Sequence, residues 1–417
     1  MDSWLPTELG KLCVFQAGDA FSKDKQGAMD GDVPFIKVSD MNIPGNDYHI
    51  LRAANWLTSA EAKSFRKHQS GATVFAKIGE ALRANRRRLL TRPTIIDNNM
   101  MSATAGPDTD EKWLFYLLQT IDFNEVSRGS ALPYLAVSDL KLLPVLSPLK
   151  DEQTEIATAL SSFDDKIELN RRMNETLEAL AQAIFKDWFV DFGPTRRKSE
   201  GATDPVAILG NLIPDPNRAT QTAALFPATF GDDGLPEGWR FEPVSEFGEL
   251  SGGKQLDKSE IADEGSFPVF GGAGIMGFAE RSNASGYVIT VGRVGAYCGQ
   301  FFAHRGQAWV NNNASLIKSQ RPELAEWLFW ALKNVDIDVI KKGAAQPFVS
   351  NSNIAKLSLV SPGLEILEQF VGLLRPLLLR GEACAKESAL LAETRDYLLP
   401  RLMSGQVRVR DAENTVS

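Results

Sequence analysis

Residues 113–149 contain Trp113-Leu114-Phe115, then Gly129-Ser130-Ala131-Leu132-Pro133-Tyr134-Leu135, then Leu143-Pro144-Val145-Leu146-Ser147-Pro148. Residues 327–362 contain Trp327-Leu328-Phe329, then Gly343-Ala344-Ala345-Gln346-Pro347-Phe348-Val349, then Leu357-Ser358-Leu359-Val360-Ser361-Pro362. The anchors Trp113/Trp327, Gly129/Gly343 and Pro148/Pro362 share one offset of 214 residues, which composition alone does not produce. The period is far longer than that of a solenoid repeat, so the chain is read as a duplicated domain. Asn98-Asn99 and Asn312-Asn313 keep the same offset of 214. Upstream, Phe75–Gly79 aligns with Val288–Gly292 one residue out of step. Trp4 pairs with Trp239 at an offset of 235, so the first copy is expected to carry 21 residues, the difference from 214, that the second lacks. Two related domains that diverge in their early parts suggest different ligands on one frame.

At 417 residues the chain has room for two ordinary domains and connecting elements. With 43% apolar and 24% charged residues the composition is globular. No apolar run reaches the ~18–20 residues that span a bilayer, and Met1-Asp2-Ser3-Trp4 does not begin like a signal peptide. Cys13, Cys298 and Cys384 are odd in number and far apart, which fits buried, reduced thiols and a cytoplasmic location. The net charge of −8 is unevenly spread. Residues 1–150 hold 18 Lys+Arg against 17 Asp+Glu, and residues 238–360 hold 12 against 12. The acid lies in the remaining segments, so the repeated domains are relatively basic.

After Pro148 the pattern turns helical. Ile156, Leu160, Phe163, Ile167, Asn170, Asn174, Leu177, Ala181, Ile184 and Trp188 alternate at spacings of four and three, a heptad seam. Adding 214 gives Phe370, Leu374, Leu377, Gly381, Cys384, Ser388, Leu391, Arg395, Leu398 and Leu402. The simplest account is two long helices packed antiparallel, with Pro376 and Gly381 expected to kink or interrupt the second. The expected boundaries are a domain over 1–149, a long helix over 150–192 and a linker over 193–237 with a short helix near Ala219–Leu225. A second domain over 238–362, a second long helix over 363–405 and a loose tail over 406–417 complete the chain.

Catalytic signatures are scarce. His49, His68 and His304 sit in no metal-ligand spacing with cysteine. The chain has no Walker A loop, no G-x-S-x-G elbow and no Asn/Asp-Pro-Pro-aromatic run. Asp110-Glu111-Lys112 reads as a turn before Trp113 rather than a nuclease site. Gly272-Ala273-Gly274-Ile275-Met276-Gly277 matches G-x-G-x-x-G but lacks a helical period after it, so it reads as a surface loop. The basic signals are richer. Lys77, Arg83, Arg86, Arg87, Arg88 and Arg92 place six cations within sixteen residues. Arginine can grip phosphate or read guanine and asparagine can read adenine. That makes these residues, with Asn98 and Asn99, candidates for DNA contact. In the second copy the candidates are Arg293, Asn312, Asn313, Lys341, Lys342 and Gln346.

Several local stretches resemble the specificity (S) subunit of type I restriction–modification systems. They are Ala181–Phe192, Thr222–Pro227, Leu235–Trp239, Pro148 through Glu152-Gln153 and Ile156, Phe267–Gly277 and Leu398–Val407. The resemblance implies an α+β chain. Two duplicated mixed α/β target recognition domains would be separated by two long antiparallel coiled-coil helices in a pseudo-two-fold arrangement. It implies that each domain reads one half of an asymmetric bipartite site in double-stranded DNA. The helices would set the gap and dock two modification (M) subunits through a seam including Ile167, Asn170, Asn174, Leu177, Ile184, Trp188, Leu391, Leu398 and Leu402. Such a chain is not itself an enzyme, holds no cofactor or metal and meets no membrane. S-adenosylmethionine for adenine methylation would come with the M subunits, and ATP and Mg for translocation and cleavage with restriction (R) subunits. Pro376, Gly381, Arg395 and the displaced Glu368-Gln369 depart from the pattern of the first helix. Two other classes stay open: an independent nucleic-acid-modifying enzyme, told by activity of the chain alone, and a coiled-coil scaffold, told by failure to bind DNA.

Overall fold

The structure, a computed structural model, describes residues 4–21, 26–343 and 347–409. The chain forms two compact units, Met1–Asn174 with Ala383–Ser417, and Glu175–Glu382. In chain order the first copy holds β1 (Leu5–Glu8), β2 (Cys13–Ala17), β3 (Val33–Ile36), β4 (His49–Ile50) and β5 (Asn55–Leu57). It continues with β6 (Thr73–Ala76), β7 (Arg87–Leu90), β8 (Ile95–Ile96), β9 (Met100–Ala105), helix α1 (Glu111–Thr120) and β10 (Pro144–Ser147). Helix α2 (Lys150–Phe189) follows and, after two short helical turns, α3 (Pro216–Leu225). The second copy holds β11 (Arg240–Pro243), β12 (Gly248–Gly252), β13 (Phe267–Gly271), β14 (Gly274–Ala279) and β15 (Tyr287–Gly292). Then come β16 (Phe301–Arg305), β17 (Trp309–Val310), β18 (Ala314–Ser319), α4 (Ala325–Lys333), β19 (Ser358–Ser361) and helix α5 (Leu364–Met403).

The strand pairing proves the duplication. Unit 1 has a sheet ordered β2-β9-β6-β7-β4, a sheet β5-β3-β8 and a ribbon β1-β10. Unit 2 repeats this as β12-β18-β15-β16, β14-β13-β17 and β11-β19. Glu8 faces Pro144 as Pro243 faces Ser358, which fixes the offset at 235 for the first strand and 214 for the last. Thr73 faces both Leu89 and Ala103, as Ile289 faces Ala303 and Ile317. The offset at β6 is therefore 216, so the match of Phe75–Gly79 to Val288–Gly292 slips by three residues. Lys77 answers to Arg293 and Gly79 to Gly295. Short apolar strands carry little register information by themselves; the ladder supplies it.

Most of the additional length of the first copy lies between β3 and β5. There the turn Val38–Asn42 and strand β4 intervene, with β4 pairing beside β7. The second copy has a tight β13–β14 hairpin in that place, with Gly271 facing Gly274. The run Gly272–Gly277, which reads from its sequence as a surface loop, is the turn of this hairpin and the first part of β14, and it opens no helix.

Helix α1 starts where the Asp110 carboxylate accepts the Lys112 and Trp113 amides, at 3.0 and 2.9 Å. Trp113 through Leu118 are all buried. Two corrections concern the connections. The linker stretch holds the helix expected near Ala219–Leu225, as α3, and in addition helices Gly193–Ser199 and Pro205–Ile208; each has Pro at its start. Ile208, Leu209, Ile213 and Phe226 pack there into one core with Trp188 and Trp239. Helix α5 runs unbroken for 40 residues through Pro376 and Gly381. Its buried Phe370 and Leu374 belong to the unit 2 core and its Leu402 to the unit 1 core, and such packing outweighs the ~3 kcal/mol that an interior proline costs.

In unit 1, Asn170 on α2 donates to Glu387 on α5 at 2.8 Å, and Arg395 on α5 donates to Asp164 on α2. In unit 2, Phe185 and Phe189 of α2 stack edge-on against Phe370 of α5. In unit 1 the partner numbers fall as helix numbers rise, so α2 and α5 run antiparallel there. Ile184 and Trp188 are buried in the unit 2 core and Leu402 in that of unit 1, while Ile167, Leu177, Leu391 and Leu398 are half-buried.

Candidate DNA interface

The same three loops meet at one place in both units. In unit 1 the Lys77 amide donates to the Asn99 carbonyl at 2.9 Å, and the Leu135 amide donates to the Lys77 carbonyl at 2.9 Å. Gly79 donates to Pro133 at 2.8 Å, and Arg128 and Tyr134 exchange backbone hydrogen bonds. In unit 2 the Arg293 amide donates to Asn313 at 3.0 Å, Val349 to Arg293 at 2.9 Å and Gly295 to Pro347 at 3.0 Å. Lys342 and Phe348 exchange bonds just as Arg128 and Tyr134 do. Gly129 and Gly343 hold φ of +84° and +88°, the left-handed region that suits glycine at this turn. A β-carbon on Gly18 would collide with the Asp97 carbonyl and one on Gly253 with the Asn311 carbonyl, so the loop beside the Asn-Asn turn is held close in both copies.

This frame sorts the candidates. Lys77 with Asn98-Asn99, and Arg293 with Asn312-Asn313, come together in their respective units; the asparagines are exposed and the two cations half-buried. Lys342 stands on the same frame of unit 2 and is exposed, while Lys341 is tied to Asp338 at 2.7 Å. Arg83 is exposed, pairs with Glu80 at 3.0 Å and reaches the Ser130 carbonyl at 3.3 Å. Arg86 is exposed and donates to Asn42. Arg92 lies past the far end of β7, 5.8 Å from the Trp56 ring centre, and does not join the frame. Gln346 lies outside the described residues.

Arg87 and Arg88 are corrections. Arg87 is 0% exposed. Its guanidinium stacks 3.8 Å over Phe123 and donates to the Ile121 carbonyl at 2.5 Å. Burial pulls its pKa below the usual arginine value. The Arg88 guanidinium is spent on the carbonyls of Asn46, Arg87 and Met41, binding β7 to the segment inserted before β4. Strand alternation turns Arg87 inward, which a run of four charged or polar letters does not reveal.

Two further residues belong to the frame. Tyr134 and Phe348 occupy the same position of the frame and are 43% and 42% exposed. Their equal offset of 214, each after a proline, was the available signal. Each unit thus presents an exposed aromatic ring, two adjacent asparagines and at least one cation with no side-chain partner among the described residues. Phosphate and base edges are the surfaces that such a set suits. No group of three or more His, Cys, Asp or Glu among the described residues could hold a metal. No helix of the described residues is long and apolar enough to cross a membrane.

The fold and these loops define a class: a doubled recognition domain, each copy followed by a long helix. The sequence pattern of the type I restriction modification DNA specificity domain matches residues 1–179 and 236–378, and the chain belongs to that family. It is 28% identical over 400 residues to the type I restriction enzyme MjaIX specificity subunit of Methanocaldococcus jannaschii, a match that covers 91% of this chain and 88% of that one. It is 26% identical over 355 residues to the HindI specificity subunit of Haemophilus influenzae, covering 71% and 77%. The fold is similar to that of the S subunit of a type I restriction–modification system from M. genitalium, with a TM-score of 0.62, 18% identity and 96% of both chains covered.

Proposed function

We propose that this chain is the sequence-specificity subunit of a type I restriction–modification complex, with each recognition domain reading one half of an asymmetric, bipartite DNA site. The observation that carries this reading is the duplicated loop frame, which offers Lys77, Asn98, Asn99 and Tyr134 in one unit and Arg293, Asn312, Asn313, Lys342 and Phe348 in the other. The cations of the shared frame suit what both halves have in common, the sugar–phosphate backbone, and its paired asparagines suit the edges of adenine. The parts that differ, β4 with its flanks in the first copy and the β13–β14 hairpin in the second, suit the reading of different bases. Arg83, Arg86 and Arg92 remain candidates for peripheral phosphate contact; Arg87 and Arg88 do not.

Helices α2 and α5 are the spacer and the docking surface for two M subunits, to which R subunits add. Exposed Leu169 and Leu390 in unit 1 and Leu180 and Leu379 in unit 2 support this, because intrachain packing leaves them uncovered. Adenine methylation with S-adenosylmethionine belongs to M, and ATP- and Mg-driven cleavage to R; this chain supplies the address. A cytoplasmic location follows from that role. The test is co-expression with the cognate M subunit in a host lacking adenine methylation, followed by single-molecule sequencing. A split motif with a fixed gap and a modified adenine in each half is expected. Methylation by the chain alone, or no motif from a complex that methylates DNA, would contradict the reading.

A further inference from the structure

Helix α5 is the repeat of α2, so the offset of 214 tells what each position of α2 would meet if it packed against a second α2 in place of α5. In unit 1, Asp164 on α2 is 4% exposed. It accepts from the Tyr116 hydroxyl of α1 at 2.5 Å and from the Arg395 guanidinium of α5. Glu387 of α5 accepts from Asn170 at 2.8 Å and lies 3.5 Å from the Lys166 ammonium. The residues of α2 that answer to Arg395 and Glu387 are Ala181 and Met173. A second α2 would therefore set Ala181 against Asp164, and Met173 against Asn170 and Lys166. A buried carboxylate without its cation is strongly unfavourable. The residue of α5 that answers to Asp164 is Leu378, so a second α5 would leave Arg395 facing leucine.

The contacts between domain and helix follow the same logic. Lys112 of α1 donates to Ser161 of α2 at 3.2 Å and lies 3.6 Å from Asp165. Its counterpart in unit 2 is Glu326, 1% exposed, which accepts from Arg375 of α5, the counterpart of Ser161, at 2.7 Å. Arg375 adds a second bond to Glu326 at 3.0 Å and Arg305 of β16 a third at 2.9 Å. The sign of the charge is reversed between two equivalent places. The second domain set on α2 would bring Glu326 to Ser161 and Asp165; the first set on α5 would bring Lys112 to Arg375.

We infer that these pairs form a key that permits α2 to pack with α5, and each recognition domain with its own helix, and rejects like-with-like pairing of the two halves. A duplicated chain of this kind is at risk of symmetric assembly with a second copy of itself, and a buried polar pair is a known way of fixing partner choice in paired helices. For the function proposed above, on which this consequence alone rests, the key fixes the order of the two half-sites along DNA.

The test uses the full chain. Arg395→Ala gives Asp164 the residue that a second α2 would offer. Its thermal midpoint is expected to fall by about 5–15 °C at neutral pH. The loss should shrink as the pH is lowered and Asp164 takes up a proton. Adding Asp164→Leu, the residue that α5 carries there, together with Tyr116→Phe, should recover most of the loss. A melting point for Arg395→Ala within about 1 °C of the unaltered chain would overturn the inference, as would a loss that neither low pH nor the added substitutions relieve. DNA recognition is not involved, so the proposed function can fail while the key stands, and the reverse.

Discussion

The guanidinium carbon of Arg87 lies 3.8 Å from the centre of the Phe123 ring, inside the core of unit 1. Arg86, its neighbour, points to solvent. Arg87→Ala is expected to cost about 2–4 kcal/mol of stability, because it opens a cavity and leaves the Ile121 carbonyl only the long 3.5 Å bond from the Asn85 amide. Arg86→Ala should leave the melting point unchanged and weaken DNA binding modestly. Thermal denaturation and DNA titration of the two variants separate the roles; an Arg87→Ala chain as stable as the unaltered one would show the stacking to be idle.

Lys77 and Arg293 are the equivalent cations of the two frames. Each neutral substitution, Lys77→Met or Arg293→Met, is expected to weaken DNA binding a few-fold and to reduce the slope of log affinity against log salt by about one. Titration of the complex with M at several salt concentrations reads this. An unchanged slope would remove that residue from the phosphate contacts.

Glu326 is held by Arg305 and Arg375 in the interior of unit 2, and despite its burial these two guanidinium groups bring its pKa below the ordinary glutamate value. Glu326→Ala leaves Arg375 without its carboxylate, while Arg305 keeps Glu382 at 3.2 Å, with an expected loss of roughly 3–5 kcal/mol. Calorimetry of the full chain should show the transition of unit 2 displaced. Displacement of both transitions by the same amount would show that the effect is not local.

His68 is buried, with its Nδ1 2.7 Å from the Ser102 hydroxyl, and burial pushes its pKa down to about 4 from the usual 6.5. The unfolded chain therefore binds the proton more readily than the folded one. This contribution is intact above pH 6.5 and is lost as the pH falls toward 4, by up to about 3 kcal/mol. Denaturation midpoints between pH 7.5 and 4 should fall less steeply for His68→Gln than for the unaltered chain. Parallel curves would refute the assignment.

The duplication was legible because its anchors are residues with one job: Trp113 and Trp327 fill equivalent cores, and Gly129 and Gly343 turn equivalent loops. The long helices were legible from their heptad spacing. The register of β6 against β15 was not, because Val-Phe and Ile-Thr are interchangeable in a strand and only the partner strand fixes their places. Arg395 looked like a flaw in the second seam, since the partner that explains it, Asp164, stands 231 residues away. At the frame, the basic character of Lys77 and Arg293 is visible in the sequence but their equivalence is not, because it depends on the register of β6 and β15. Tyr134 and Phe348 share the offset of the repeat, but an aromatic after proline reads equally well as core.

The most direct test of the account is the methylation map of the complex carrying Asn98→Ala and Asn99→Ala beside that of the unaltered complex. The account predicts that one half of the split motif relaxes while the other half and the gap between them stay as they were. Loss of specificity in both halves, or a change in the gap, would contradict it.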